Sequence, residues 1–213
     1  MIKCVIYDFD GTLADTERFS LNIYNELAEK YGYRTYTLED LEELKQMPLT
    51  KLISMVDIPY HKIFSLIREG QGILKKHIND VKGFQEDLAA TLEQIKEMTG
   101  QAGVISSNSK KNIKRFLKNK EIHTMDFVIS SPLFSKEAKI SKIMRKEDLR
   151  PGEVLYVGDE VRDIQSSQKA GIRVAAATWG YQHRSLLEDA RPTYLIDNLR
   201  ELITIVKNLN GAM

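Results

Sequence analysis

Two aspartates, Asp8 and Asp10, close an apolar run and open onto a Gly11-Thr12 turn in the stretch V-I-Y-D-F-D-G-T-L-A-D-T, residues 5–16. Acids at the end of a buried strand cost stability unless a cation or a chemical task offsets them. Their types and spacing suit a nucleophile and an acid/base held against a divalent metal. A carboxylate can attack phosphorus in line and form an acyl-phosphate that water later cleaves. A second carboxylate nearby can protonate the leaving oxygen and then take a proton from that water. Asp8 is the candidate nucleophile and Asp10 the candidate acid/base. The plainer alternative is a turn in which the acids cap backbone N–H groups and the glycine takes positive φ.

The remaining apolar runs end in equally reactive residues. After G-V-I-S come Ser106, Ser107 and Asn108; after F-V-I comes S-P-L-F-S-K-E-A-K; after V-L-Y-V comes Gly158-Asp159-Glu160-Val161-Arg162-Asp163. In open α/β sheets the carboxyl ends of the strands share one crevice. Four strand ends therefore supply acids, hydroxyls, an amide and a cation to one place. Mg²⁺ prefers oxygen ligands and few protein carboxylates, so Asp8, the Asp10 main-chain carbonyl and Asp159 form the candidate metal set. Charge on a phosphoryl group needs fixed donors. The candidates are the Gly11-Thr12 turn, Ser106, Ser107, Asn108 and one lysine among Lys136, Lys139 and Lys142. Ser-Ser-Asn would also serve simply as a helix cap.

Elements must hold these groups in place. The runs at Lys3–Tyr7, Gly103–Ser106, Phe127–Ile129, Val154–Val157, Val174–Ala176 and Tyr194–Ile196 are continuously apolar rather than alternating. That pattern predicts central parallel strands covered on both faces. Stretches between them, such as Phe84–Met98 with Leu88, Leu92 and Ile95, keep helical spacing. Alternating strand and helix implies a doubly wound α/β sheet. One connection, between the first run and G-V-I-S, is far too long for a crossover. With Phe84–Met98 as the crossover helix, roughly residues 15–82 are an insertion. Helical spacing at Phe19–Tyr31, Leu38–Leu44 and His61–Ile78, punctuated by Pro48 and Pro59, makes it helical.

Length and composition set the limits. The 213 residues suffice for one sizeable core and a smaller unit, and the formal net charge of +1 offers no case for nucleic acid or an anionic membrane. No run of about 18 apolar residues occurs to span a bilayer. The single cysteine, Cys4, precludes an internal disulfide and suits a reducing compartment, so the cytoplasm is the expected location. His61, His77, His123 and His183 lack ligand spacing and read as surface residues. Trp179 and Tyr181 read as packing or as the rim of the crevice; Asp15 touches substrate or caps a helix. Oligomeric state is not legible.

The D-F-D-G-T-L segment resembles the first signature, D-x-D-G-T-[LV], of the haloacid-dehalogenase-type phosphohydrolases. V-I-S-S-N-S resembles their second signature, and V-G-D-E-V-R-D their fourth, G-D-x-x-x-D. The T-W-G-Y segment at Thr178–Tyr181 is similar to the phosphoglycolate-phosphatase-like branch, as is an insertion between the first two signatures. The resemblance implies a Rossmann-like parallel-sheet core, residues 1–14 and 83–213, with a small all-α helical cap, residues 15–82, hinged at Leu13–Thr16 and Val81–Gly83. It implies Asp159 as a metal ligand with Asp163 as a supporting acid. It favours Ser106 over Ser107 for phosphate, and Lys136 first with Lys139 second, Ser135 standing where relatives have glycine. The implied activity is a Mg²⁺-dependent phosphatase acting on a small phosphorylated metabolite through an aspartyl-phosphate on Asp8. A phosphomutase uses the same two aspartates and is an alternative. A dehalogenase does not need Asp10, and a non-catalytic binding relative would be expected to have lost one of Asp8, Asp10 and Asp159.

Overall fold

A computed structural model describes residues 1–56 and 58–211. In chain order the elements begin with β1 (Cys4–Tyr7), β2 (Ala14–Asp15), α1 (Glu17–Tyr31), α2 (Asp40–Leu44), α3 (Leu49–Met55), α4 (Tyr60–His77) and β3 (Lys82–Gly83). They continue with α5 (Leu88–Thr99), β4 (Gln101–Ser106), α6 (Lys110–Asn119), β5 (Phe127–Ser130), α7 (Lys136–Lys146) and β6 (Val154–Gly158). Then follow α8 (Val161–Lys169), β7 (Arg173–Ala177), α9 (Arg184–Asp189), β8 (Tyr194–Ile196) and α10 (Glu201–Gly211).

Six strands form a parallel sheet in the order β5-β4-β1-β6-β7-β8. The first strand lies between β4 and β6, with Tyr7 level with Val104 on one side and Val157 on the other. The chain runs outward from β1 to β4 and β5, then returns across β1 to β6. That reversal opens a crevice beyond the carboxyl ends of β1, β4 and β6. Alternate β1 side chains feed two cores, as the period of two in a strand requires. Val5 and Tyr7 join Leu92, Ile95, Phe116 and Leu202; Cys4 and Ile6 join Ile140, Tyr156, Ile164 and Leu187 on the other face. The expected α/β architecture is thus the observed one, and Cys4 packs into the core from the first strand.

The insertion contributes α1 to α4, with α1 packed on α4. Three details differ from the sequence expectation. Leu13–Thr16 and Val81–Gly83 are not bare hinges, because β2 pairs with β3 as an antiparallel ribbon, Ala14 opposite Gly83 and Asp15 opposite Lys82. Two-residue strands carry no readable periodicity. The crossover helix starts at Leu88 rather than Phe84, with Asp87 at its N-terminus accepting a bond from Thr91 Oγ1 at 3.0 Å. A third helix, α3, follows Pro48, where only punctuation was read. Among the described residues no helix is long and apolar enough to cross a membrane.

The core should be intolerant of voids. Leu92 is fully buried between α5 and the sheet, so Leu92→Ala is expected to lower the unfolding free energy by about 2–5 kcal/mol in urea titrations.

Candidate active site

The loop after β1 is built around one glycine. Gly11 has φ +76°, and a Cβ there would lie 2.0 Å from Asp159 Oδ2. Gly180 approaches from the other side, where a Cβ would fall 2.3 Å from the Asp159 Cβ. Only glycine fits either position. Asp159 is wedged between them, completely buried, with Oδ1 accepting from Thr12 Oγ1 at 2.6 Å and Oδ2 from the Tyr181 N–H at 2.8 Å.

Asp8 lies at the end of β1 and is buried. Its Oδ1 accepts the Phe9 N–H at 2.7 Å, and its Oδ2 accepts from Lys136. Lys136 starts α7 and also donates to Asp163, so one buried ammonium bridges two carboxylates. Lys139 is half-buried and Lys142 exposed, and neither donates to these acids. Burial pushes the Asp8 carboxyl up, but the Lys136 and Arg162 charges outweigh it and hold the group below the usual range. Burial likewise opposes charge on Lys136, yet Asp163 and Asp8 keep its ammonium more basic than usual.

Asp10 is half-buried at the crevice and accepts from Thr16 Oγ1 at 2.9 Å and from Asn108 Nδ2 at 3.0 Å on both oxygens. Burial and then the nearby Asp8 charge raise it to about 6, against the donors. That value suits a group that gives and takes protons near neutrality. Asp163 is also raised to about 6, by burial first and with Asp8 and Glu160 adding to it. Asp159 lies far above the ordinary range for the same reasons, burial and then Glu160, Asp8 and Asp163.

The β4 end contributes the hydroxyls. Ser106 is buried and its Oγ accepts the Asn108 N–H at 3.3 Å, whereas Ser107 is half-buried on the crevice wall. The cap of α6 is Ser109, accepting from the Asn112 N–H at 3.2 Å, so Ser106 and Ser107 are not needed for capping.

Sequence reasoning assigned no role to four residues at the site. Glu160 and Arg162 pair with each other, and Arg162 Nη2 reaches Ser107 Oγ at 3.4 Å while its Nη1 has no partner. Gln182 accepts the Val161 N–H at 2.6 Å and donates to the Met47 carbonyl at 3.2 Å, tying α8 to the helical insertion. Gln71 of α4 donates to the Ser107 carbonyl at 2.8 Å. Tyr181 lines the crevice, and its hydroxyl is 2.6 Å from Thr16 Oγ1 and 2.8 Å from Ser20 Oγ. Trp179 donates to the Thr12 carbonyl at 3.1 Å, so it packs rather than lines the rim. The four histidines are exposed, and Asp15 lies exposed on the β2 ribbon.

A divalent cation fits this arrangement on charge. Among the described residues Asp8, Asp10, Asp159, Glu160 and Asp163 face only Lys136 and Arg162, leaving more negative than positive charge in a buried space. Carboxylate oxygens of Asp8, Glu160 and Asp163 lie within 4.8 Å of one another. Asp159 stands beside that trio, within electrostatic reach of all three. Hard oxygen donors of this kind suit Mg²⁺.

A family model described as haloacid dehalogenase-like hydrolase matches residues 5–177. A phosphoglycolate phosphatase of Synechococcus elongatus is 29% identical over 210 residues, covering 98% of this chain and 99% of that one. Pyrophosphatase PpaX of Bacillus anthracis is 24% identical over 216 residues, covering 99% of each. A solved haloacid dehalogenase-like protein from Streptococcus pneumoniae superposes with a TM-score of 0.80 at 20% identity, over 96% of this chain and 98% of that one.

The raised acids make metal-free stability depend on pH. Asp10 and Asp163 bind protons more tightly folded than unfolded, about 6 against 3.8. The stability they lend is full below the unfolded value and is lost as pH rises through about 6. In EDTA the melting temperature is therefore expected to be higher at pH 5.0 than at pH 7.5, and Asp10→Asn should shrink the difference. A melting temperature that rises with pH over this range would contradict it.

Proposed function

The chain belongs to the haloacid dehalogenase-like hydrolases, and on that basis we propose that it is a Mg²⁺-dependent phosphatase hydrolysing a small phosphorylated metabolite through an aspartyl-phosphate on Asp8. Residues 1–14 and 83–213 serve as the catalytic core and residues 15–82 as a helical cap. The observation that carries the reading is Asp8 itself, a buried carboxylate kept ionised by Lys136 and Arg162, with Asp10, of higher pKa, beside it. The names of the two curated relatives point the same way, toward phosphoryl groups.

The chemistry follows from those two environments. Asp8, anionic at neutral pH, attacks phosphorus; the acyl-phosphate bond forms as the bond to the leaving oxygen breaks. Protonated Asp10 gives its proton to that oxygen. Water then attacks the phosphorus of the acyl-phosphate, Asp10 takes a proton from it, and the Asp8 carboxylate is released with inorganic phosphate. Thr16 and Asn108 fix the position of the Asp10 carboxyl. Lys136 places Asp8 and donates to the phosphoryl oxygens, together with Ser106, Ser107, Asn108 and the Gly11-Thr12 N–H groups. Asp8, the Asp10 main-chain carbonyl and Asp159 would hold Mg²⁺, with Asp163 in support; the bound ion draws negative charge from the phosphoryl oxygens.

Asp8→Asn keeps the shape and removes the nucleophile. Hydrolysis of p-nitrophenyl phosphate in Mg²⁺ is expected to fall at least about a thousandfold, with circular dichroism unchanged. Activity close to that of the unaltered protein would dismiss Asp8 as the nucleophile. EDTA should stop turnover, and added Mg²⁺ should restore it.

A further inference from the structure

An open cleft between the helical insertion and the sheet has a volume of about 480 Å³. Its floor is polar and belongs to the candidate site: Asp10, Ser107, Asn108, Arg162 and Tyr181 all face it. Its walls are mostly apolar, drawn from all four helices of the insertion, with Leu27, Leu44, Ile53, Leu66 and Ile67 as examples beside a few polar residues such as Ser20 and Gln71. At roughly 30 Å³ for each water-sized group, there is room for on the order of fifteen. A cleft so rich in leucine and isoleucine leaves apolar surface against water, which an apolar ligand would cover.

The charges around it narrow the occupant further. Among the described residues Lys45 and Arg162 are the only lysine and arginine that line the cavity. Lys45 is 2.9 Å from Glu17 and 3.7 Å from Glu42, and is spent on them. Arg162 sits on the floor with one nitrogen free, next to Asp8 and where a phosphoryl group would arrive. No cation among the described lining residues is left over for a second anionic group, such as the carboxylate of a phosphorylated acid or the second phosphate of a pyrophosphate. A second anion placed against the apolar walls would lose its hydration with no cation to offset the loss.

We infer that the substrate is an amphipathic phosphomonoester, whose phosphate rests on the polar floor by Asp8 and Arg162 and whose uncharged apolar alcohol portion fills the cavity under the helical insertion. This rests on the phosphatase reading and adds the class of the leaving group. It departs from what the names of the curated relatives would suggest, since phosphoglycolate and pyrophosphate both carry a second negative group.

The test is a chain-length series. Straight-chain alkyl phosphates from propyl to octyl share nearly the same leaving-group basicity, so differences in kcat/KM report the cavity rather than the chemistry. In Mg²⁺, kcat/KM is expected to rise at least about tenfold from propyl to octyl phosphate and to exceed that for phosphoglycolate and for pyrophosphate. Leu66→Asn, similar in size but polar, should flatten the rise. A flat or falling series, or a tenfold preference for phosphoglycolate or pyrophosphate over octyl phosphate, overturns the inference; a cavity that merely collapses on closure would give the flat series. The affinities of non-hydrolysable alkylphosphonates, measured by calorimetry, provide an arm independent of turnover. If no ester is cleaved, p-nitrophenyl phosphate included, the phosphatase reading fails. In that case phosphonate affinity that grows with chain length still upholds the amphipathic ligand, and affinity independent of length rejects it.

Discussion

The structure depends on a surplus of negative charge that its own cations do not cancel. Asp8, Asp10, Asp159, Glu160 and Asp163 converge at the ends of β1 and β6 against Lys136 and Arg162. Burial raises the cost of every uncompensated charge. The same imbalance separates the behaviour of two aspartates in the same loop. Lys136 and Arg162 keep Asp8 ionised, and the ionised Asp8 helps keep Asp10 reluctant to ionise. Different proton affinities for chemically identical side chains then need no further device.

Topology explains why so many acids meet. The sheet reverses its winding about β1, so the loops after β1, β4 and β6 splay apart and leave a crevice with the helical insertion above it. Close approach is secured by the absence of side chains. Gly11 and Gly180 let Asp159 sit against two loops at once, and Thr12 and the Tyr181 N–H then hold its oxygens. One wrong methyl group at either glycine would displace a buried carboxylate, because neither neighbour is a flexible tip that can swing away.

Much of this was legible because strand ends announce themselves. An apolar run followed by Asp8, Ser106 or Asp159 marks both an element and a chemical group, and the parallel sheet brings such ends together. Three lysines were competing for one place, and the structure seats Lys136 between Asp8 and Asp163 while Lys142 faces solvent. Arg162 and Glu160 were passed over because charged residues at a helix start look like any solvated turn. Gln71 and Gln182 carry no local signature at all, since their partners are main-chain carbonyls far away in sequence. Tyr181 was read as ordinary packing or a rim residue, yet its hydroxyl reaches the first helix of the insertion. The β2–β3 ribbon was too short to show a period.

The way the insertion is fastened to the sheet has its own consequence. Tyr181 binds Thr16 and Ser20, Gln182 the Met47 carbonyl, the His183 N–H the Lys45 carbonyl at 2.9 Å, and Gln71 the Ser107 carbonyl. Among the described residues no ion pair crosses the seam, those of the insertion such as Lys30 with Glu69 and Lys45 with Glu17 lying wholly within it. Dissolved electrolyte weakens attraction between charges and leaves short dipolar bonds of this kind almost untouched. The fastening of the insertion is thereby little affected by the ionic strength of its surroundings, while the acid-rich floor beneath it is not.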